Sequence, residues 1–326
     1  MTQEPEDVFF ISLHAAEMHA GMESCCFCKA SRRIFRLPGI LKTIAAKWCG
    51  SRLSGKDCRV FFVLNMKGPG AQMKNNSLIP DFRPLAAALQ FLTILPIPAA
   101  VSEADMKHSL PWFPAAGFVC GAGAGLVFLA AHGLGFPAMM AGLMAVLALS
   151  GFNGFFHADG VADTADGFWS ARPREQVLEI MRDSRIGTMG VIGLIAVLGL
   201  KWSALSAIGP GDGFRALIVA AVVARSAQVI TMGIAPYARK EGGLASVFLS
   251  ERAPHHMAIV AISGLLLAAA VGGIAGIAGL LAAIAAAFGF NSLCMKKIGG
   301  ITGDTLGALT EITETVVLCT MCILLL

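Results

Sequence analysis

From about Leu85 onward the chain alternates long charge-free apolar runs with short polar stretches. Runs at about 113–132, 137–156, 187–208 and 214–235 each approach or exceed the roughly 20 residues that a helix needs to cross a bilayer core. Met257–Phe290 carries no charge in 34 residues. As one helix it would extend about 51 Å, too long for a core of about 30 Å, so a break is expected between Gly272 and Gly276. A last segment at about 305–326 brings the number to seven. Ahead of them, LAAALQFLTILPIP (Leu85–Pro98) ends in two prolines and is too short to span, which suits an amphipathic or re-entrant piece. The pattern predicts an all-α fold, a polytopic transmembrane helix bundle.

Composition agrees with the pattern. Mean hydropathy is +0.71, and 14% of residues are charged, against about 25% in soluble domains. The charge is uneven. Residues 1–81 hold eleven Lys/Arg against seven Asp/Glu, whereas residues 82–326 hold fourteen of each. The overall +4 therefore belongs to the leader and gives no reason to expect nucleic-acid binding. Two domains are expected: 1–80, a basic, cysteine-containing leader, weakly ordered or an artefact of an upstream start with Met66 or Met73 as later starts, and 81–326, the transmembrane catalytic domain. Five of the nine cysteines lie in the leader and match no zinc spacing well. Cys319 and Cys322 form a CxxC inside an apolar segment, where packing is the expected role.

Seven crossings would put 82–112, 157–186, 236–256 and 291–304 on one side of the membrane. Those stretches hold nearly every Lys and Arg of the spanning part, so the positive-inside rule makes that side cytoplasmic. The expected setting is a bacterial cytoplasmic (inner) membrane, with the protein multi-pass, lipid around the bundle and the active face toward the cytoplasm. The sequence leaves a homo-oligomer open.

The chemistry is concentrated in 157–190, where six carboxylates and four arginines lie between two apolar runs. Asp159, Asp163 and Asp166 stand at i, i+4 and i+7, within about 60° of one another if that segment is helical. Three such acids repel unless a cation sits among them, and hard oxygen ligands favour Mg²⁺ or Ca²⁺. A solvated acidic helix start is the plainer alternative. His157, two residues earlier, is a candidate base or ligand. The same stretch supplies Arg182, Asp183 and Arg185. The next polar loop supplies Arg239, Lys240 and Glu241, and the last supplies Thr302 and Asp304 in GGITGDTLGA. Asp304 heads a predicted helix, either as its N-cap or as part of an anion site. Arg225 falls in mid-span, where an arginine implies a functional partner or a buried ion pair. Lys201 and Arg215 lie near span ends, where they are expected to snorkel.

At these residues the chain resembles the cobalamin synthase family. The shared motifs are ALQFLTILPIP from Ala88, FPAAG from Phe113, NGFFHADGVADTADG from Asn153, LEIMRDSRIGTMG from Leu178, ARKEGG from Ala238 and GGITGDTLGA from Gly299. The resemblance runs from about residue 85 to the C-terminus, with departures at Ile94, Asn153, Ala158 and Gly243. It implies a Mg²⁺-dependent adenosylcobinamide-GDP ribazoletransferase acting late in assembly of the vitamin B12 nucleotide loop. A hydroxyl of α-ribazole, or of its 5′-phosphate, would attack the cobinamide-linked phosphorus of adenosylcobinamide-GDP and expel GMP. By this resemblance Asp159, Asp163 and Asp166 hold the metal. Arg182, Arg185, Arg225, Arg239, Lys240, Glu241, Thr302 and Asp304 contact substrate. Asp166, Asp183 and His157 are candidates to take the proton.

Two other classes fit parts of the pattern. A CDP-alcohol phosphotransferase-like lipid enzyme also binds metal through spaced aspartates, but its signature has Ala-Arg after the first Asp-Gly pair, where this chain has Ala162-Asp163. A cation transporter would concentrate ionisable groups at the bilayer midplane.

Overall fold

The computed structural model describes residues 82–239, 248 and 254–326. The leader, Lys240 and Glu241 lie outside the described residues. Every regular element among those described is helical: α1 (Arg83–Leu92), α2 (Glu103–Lys107), α3 (Phe113–Gly133), α4 (Ala138–Phe152), α5 (Phe156–Phe168), α6 (Arg174–Ile180), α7 (Thr188–Ala207), α8 (Pro210–Ile234), α9 (Pro254–Ile298) and α10 (Gly303–Leu325), with a short 3₁₀ turn at Leu110–Trp112. The expected apolar runs coincide with these helices to within a few residues. The first piece is helical only to Leu92 and then extended, and α2 was not anticipated. Its signal is a capping box in which Ser102 and Asp105 satisfy each other's backbone amides.

α8 is the centre of the bundle. Its residues Ala216–Arg225 are all buried, and α3, α9 and α10 pack around it. Small residues make the close approach: a Cβ on Gly117 or Gly121 of α3 would collide with the Ala221 or Leu217 carbonyl of α8. Without water to drive apolar faces together in a membrane, such backbone proximity is a main source of helix association.

The 45-residue α9 folds back on itself at Gly273, whose φ of 57° and ψ of −140° favour glycine. A Cβ on Gly276 would strike the Ala268 carbonyl, whereas eight residues of continuous helix would separate those positions by about 12 Å. One arm pairs antiparallel with α8, with Gly264 against Ser226 and Gly233 against Met257, and the other with α10, with Gly279 against Val317. The expected break lies where the sequence put it. By length and composition five helices among the described residues qualify as membrane crossings, or six if α4 and α5 count as one bent span. Seven is reached when α4 with α5 is taken as one span and the two arms of α9 are counted separately.

The bend between α4 and α5 is 90°. Gly154 and Phe155 both take left-handed conformations there, with φ of 64° and 59°, and Phe155 N–H donates to the Ser150 carbonyl at 2.8 Å. Two successive left-handed residues stop α4 and turn the chain aside. α5 then runs across the starts of α7 and α10 and is read as lying along the face of the bundle, outside the spanning segments.

Charges occur at depth. Lys201 of α7 is 0% exposed, not snorkelling, and its Nζ donates to Glu311 at 2.6 Å and to Glu314 at 2.5 Å, both on α10. Arg225 of α8 pairs with the other oxygen of Glu314. Two cations and two anions, none of them exposed, tie three helices together.

Candidate functional site at the face of the bundle

α5 owes its position to three faces of different chemistry. Gly160 and His157 lie against the first turns of α10, where a Cβ on Gly160 would meet the Asp304 carbonyl and Gly307 abuts the His157 backbone. Val161 and Ala165 face Gly193 of α7. The stripe left over is the acidic one: Asp159 is exposed and Asp163 and Asp166 are half-buried, while most of their neighbours on the helix are buried. The 3.6-residue period therefore sorts small residues inward and carboxylates to the open side, as the i, i+4, i+7 spacing anticipates.

The three acids do not share one environment. Asp166 is turned to the start of α7, where its carboxylate accepts from the Gly187 amide at 2.6 Å and the Gly190 amide at 2.8 Å. Those are orphan donors of a helix N-terminus, so Asp166 acts as an N-terminal cap supplied by another helix. Asp159 and Asp163 instead feel Asp304. Burial first, and then the charges of Asp304 and Asp159, push the Asp163 carboxyl up to about 8, against the opposing pull of Arg239. Among the described residues no three of His, Cys, Asp and Glu are grouped closely enough to hold a metal ion as they stand.

Asp304 arrives from α10. The N-cap of that helix is Thr302, not Asp304: Thr302 accepts from the Thr305 amide and Thr305 accepts from the Thr302 amide. Thr302 is 0% exposed, and its hydroxyl lies 3.4 Å from Asp304 Oδ2, so its place is behind the acid and not on the open face. Arg239 donates from Nη2 to Asp304 Oδ2 at 2.8 Å, and its buried Nε has no partner among the described residues. Arg182 is near enough to act on the charge of Asp304. The loops are joined through a two-residue parallel pairing of Tyr237 with Ile301, in which Ala238 N–H donates to Ile301 at 2.9 Å and Ile301 N–H to Pro236 at 2.8 Å.

The face thus unites Asp159, Asp163, Asp304, Arg239 and Arg182. The other expected site residues fall elsewhere. Asp183 and Arg185 form an exposed pair, Nη2 to Oδ2 at 2.6 Å, and the hydrogen bonds from Arg185 hold the Asp183 carboxyl below its usual range, which weakens it as a base. His157 is 1% exposed and sits on the α10 side of α5 rather than on the acidic stripe. Arg225 belongs to the buried ion network through Glu314, about 15 Å along α10 from Asp304 at 1.5 Å per residue. Sequence reading missed Glu311 and Glu314. Their signal was two acids three residues apart in the middle of a spanning helix, in numbers matching the two cations of other spans.

A helical bundle of membrane-spanning character, with carboxylates and guanidinium groups gathered at one face, is the class of protein that the fold defines. A family model described as cobalamin-5-phosphate synthase matches residues 84–322, and the chain belongs to that family. It is similar to the adenosylcobinamide-GDP ribazoletransferases of Herpetosiphon aurantiacus (43% identity over 237 residues, 72% of this chain and 94% of the relative), Roseiflexus sp. (41% over 247 residues, 74% and 89%) and Chlorobaculum parvum (38% over 238 residues, 71% and 91%). No solved structure matches the chain.

Proposed function

We propose that the chain is a Mg²⁺-dependent adenosylcobinamide-GDP ribazoletransferase, joining α-ribazole or its 5′-phosphate to the cobinamide-linked phosphorus and releasing GMP. The observation that carries this reading is the convergence of Asp159 and Asp163 with the Arg239–Asp304 pair at one face, in a chain whose relatives bear that name. In the transfer, the ribazole oxygen forms a bond to phosphorus, the pyrophosphate P–O bond breaks, GMP leaves with those electrons, and the hydroxyl proton passes to an acceptor.

The residues suit a divalent cation. Asp159 and Asp163 offer hard oxygens on the open stripe, and the upward shift of Asp163 reflects burial first and then neighbouring negative charge that Arg239 does not offset. Mg²⁺ ordinarily takes one or two carboxylates and completes its shell with water and substrate phosphate, so a third protein ligand is not required. When bound, it would stabilise charge developing on the leaving phosphate. Arg239 is half-buried, and its Nε donor has no partner among the described residues, which suits it to a phosphate oxygen. Arg182, whose charge also reaches Asp304, supplies a second guanidinium. Asp304 fixes the orientation of Arg239 by accepting from Nη2. The purified chain in detergent should release GMP from adenosylcobinamide-GDP when α-ribazole is added, and chelation should stop the release. Release that is indifferent to chelation would remove the metal from this reading, and absence of turnover under both conditions would remove the activity.

The setting follows the same reading: a cytoplasmic (inner) membrane, with the acid face toward the cytoplasm. Ser170→Cys, near the end of α5, should react with an impermeant thiol reagent only from the cytoplasmic side. Gly211→Cys, at the exposed start of α8, should react only from the opposite side. Reversed labelling would put the acid face outside.

A further inference from the structure

Arg174, the first residue of α6, touches both segments that deliver the charged pair of the face. Its Nε donates to the Ile298 carbonyl at 2.7 Å and its Nη2 to the Ala238 carbonyl at 3.1 Å. Ile298 is the last residue of α9, so its carbonyl is one of those a helix C-terminus leaves without an internal partner, and a cation there is favoured. Ala238 immediately precedes Arg239. The guanidinium also packs against Gly299, whose φ of 68° turns the chain out of α9. One planar fork therefore binds two carbonyls, one on each side of the Tyr237–Ile301 pairing. Below it, Val177 of α6 and Met181 at its C-cap pack with Phe168, Ala238, Cys294 and Ile298, so the end of the acidic helix is held by the same cluster.

We propose that Arg174 is a positioning residue, which by bridging the Ala238 and Ile298 carbonyls fixes Arg239 against Asp304 at the acid face. Among the described residues the backbone pairing shows two hydrogen bonds, and two isolated residues of pairing are a weak tether for a charged side chain at the end of a loop. The fork adds two charge-assisted bonds in a fixed geometry, which a lysine cannot duplicate because it offers a single point charge. The consequence for the reaction rests on the transferase reading; the positioning itself does not.

The test uses the full chain in detergent, with arginine modification by phenylglyoxal mapped by mass spectrometry. In the parent protein Arg239, 15% exposed at its side chain and held by Asp304, should react slowly. In Arg174→Gln it should react several-fold faster, while the thermal midpoint stays close to the parent. Arg174→Lys should fall between the two, and it decides the question if Arg174→Gln does not fold. Turnover should drop about tenfold or more in kcat, with KM for adenosylcobinamide-GDP changed much less, since small misplacements of a positioned group can cost on the order of 10²-fold. Unchanged Arg239 reactivity in both variants, or a KM effect with kcat intact, overturns the proposal. If Arg239 loosens as expected but the parent itself shows no turnover, the positioning stands and the transferase reading fails.

Discussion

Lys201→Met is expected to destabilise the bundle by about 3–5 kcal/mol, the usual consequence of breaking a buried ion pair by removing one partner. Lys201, Glu311, Glu314 and Arg225 are all unexposed at the side chain, and their charges cancel. Without the ammonium, two carboxylates face one guanidinium, and the excess negative charge cannot reach water. The cost of desolvation is what makes the single change severe, so restoring neutrality should reverse much of it. Lys201→Met combined with Glu311→Gln leaves the Arg225–Glu314 pair intact and should be more stable than Lys201→Met alone. Unfolding in detergent, followed by heating or by graded addition of a denaturing detergent, measures both. If Lys201→Met matches the parent, the network contributes nothing to stability. If the two changes merely add, charge balance is not the reason for it.

The network also bears on what the sequence could and could not disclose. Apolar runs give helix positions directly, because a bilayer core demands continuous backbone hydrogen bonding and about 20 apolar residues. The turn at Gly273 was readable for the same reason, since an uninterrupted helix there would be too long. Lys201 was misplaced because its position near a span end is equally compatible with snorkelling. Only the three-dimensional neighbourhood reveals Glu311 and Glu314 across from it. Ionisable groups at depth were set down as a mark of a transporter. Here they pair with one another instead of lining a path, and the family match runs the other way.

At the face, the helical period located the acidic stripe, since spacing alone decides which side chains share a side. It could not separate Asp166 from its two neighbours. That difference depends on where the N-terminus of α7 lies, 21 residues on from Asp166 at Gly187. Thr302 and Asp304 exchanged expected roles for a similar reason. Either residue type can cap a helix, and the two-residue shift in where α10 begins decides which does.

Substitutions in the stripe should therefore divide into two kinds. Asp159→Asn and Asp163→Asn remove an anionic oxygen from the face while preserving shape, and each should cut GMP release on the order of 10³-fold, comparable to the loss of a principal electrostatic stabiliser. Neither should lower the thermal midpoint. Burial first, and then Asp304 and Asp159, disfavour a charged Asp163, so a neutral amide removes that cost and stability should stay level or rise. Asp166→Ala is different. It strips both amide acceptors from the start of α7, and loss of such a cap costs about 0.5–2 kcal/mol, so the thermal midpoint should fall. Asp166→Asn keeps one acceptor oxygen and should recover part of that loss. Calorimetry or dye-reported melting beside GMP release separates the two effects. Near-parent turnover in both Asp159→Asn and Asp163→Asn would withdraw the assignment of the metal to this stripe. Full thermal stability in Asp166→Ala, accompanied by abolished turnover, would instead return Asp166 to the metal ligands and leave α7 to be capped by water.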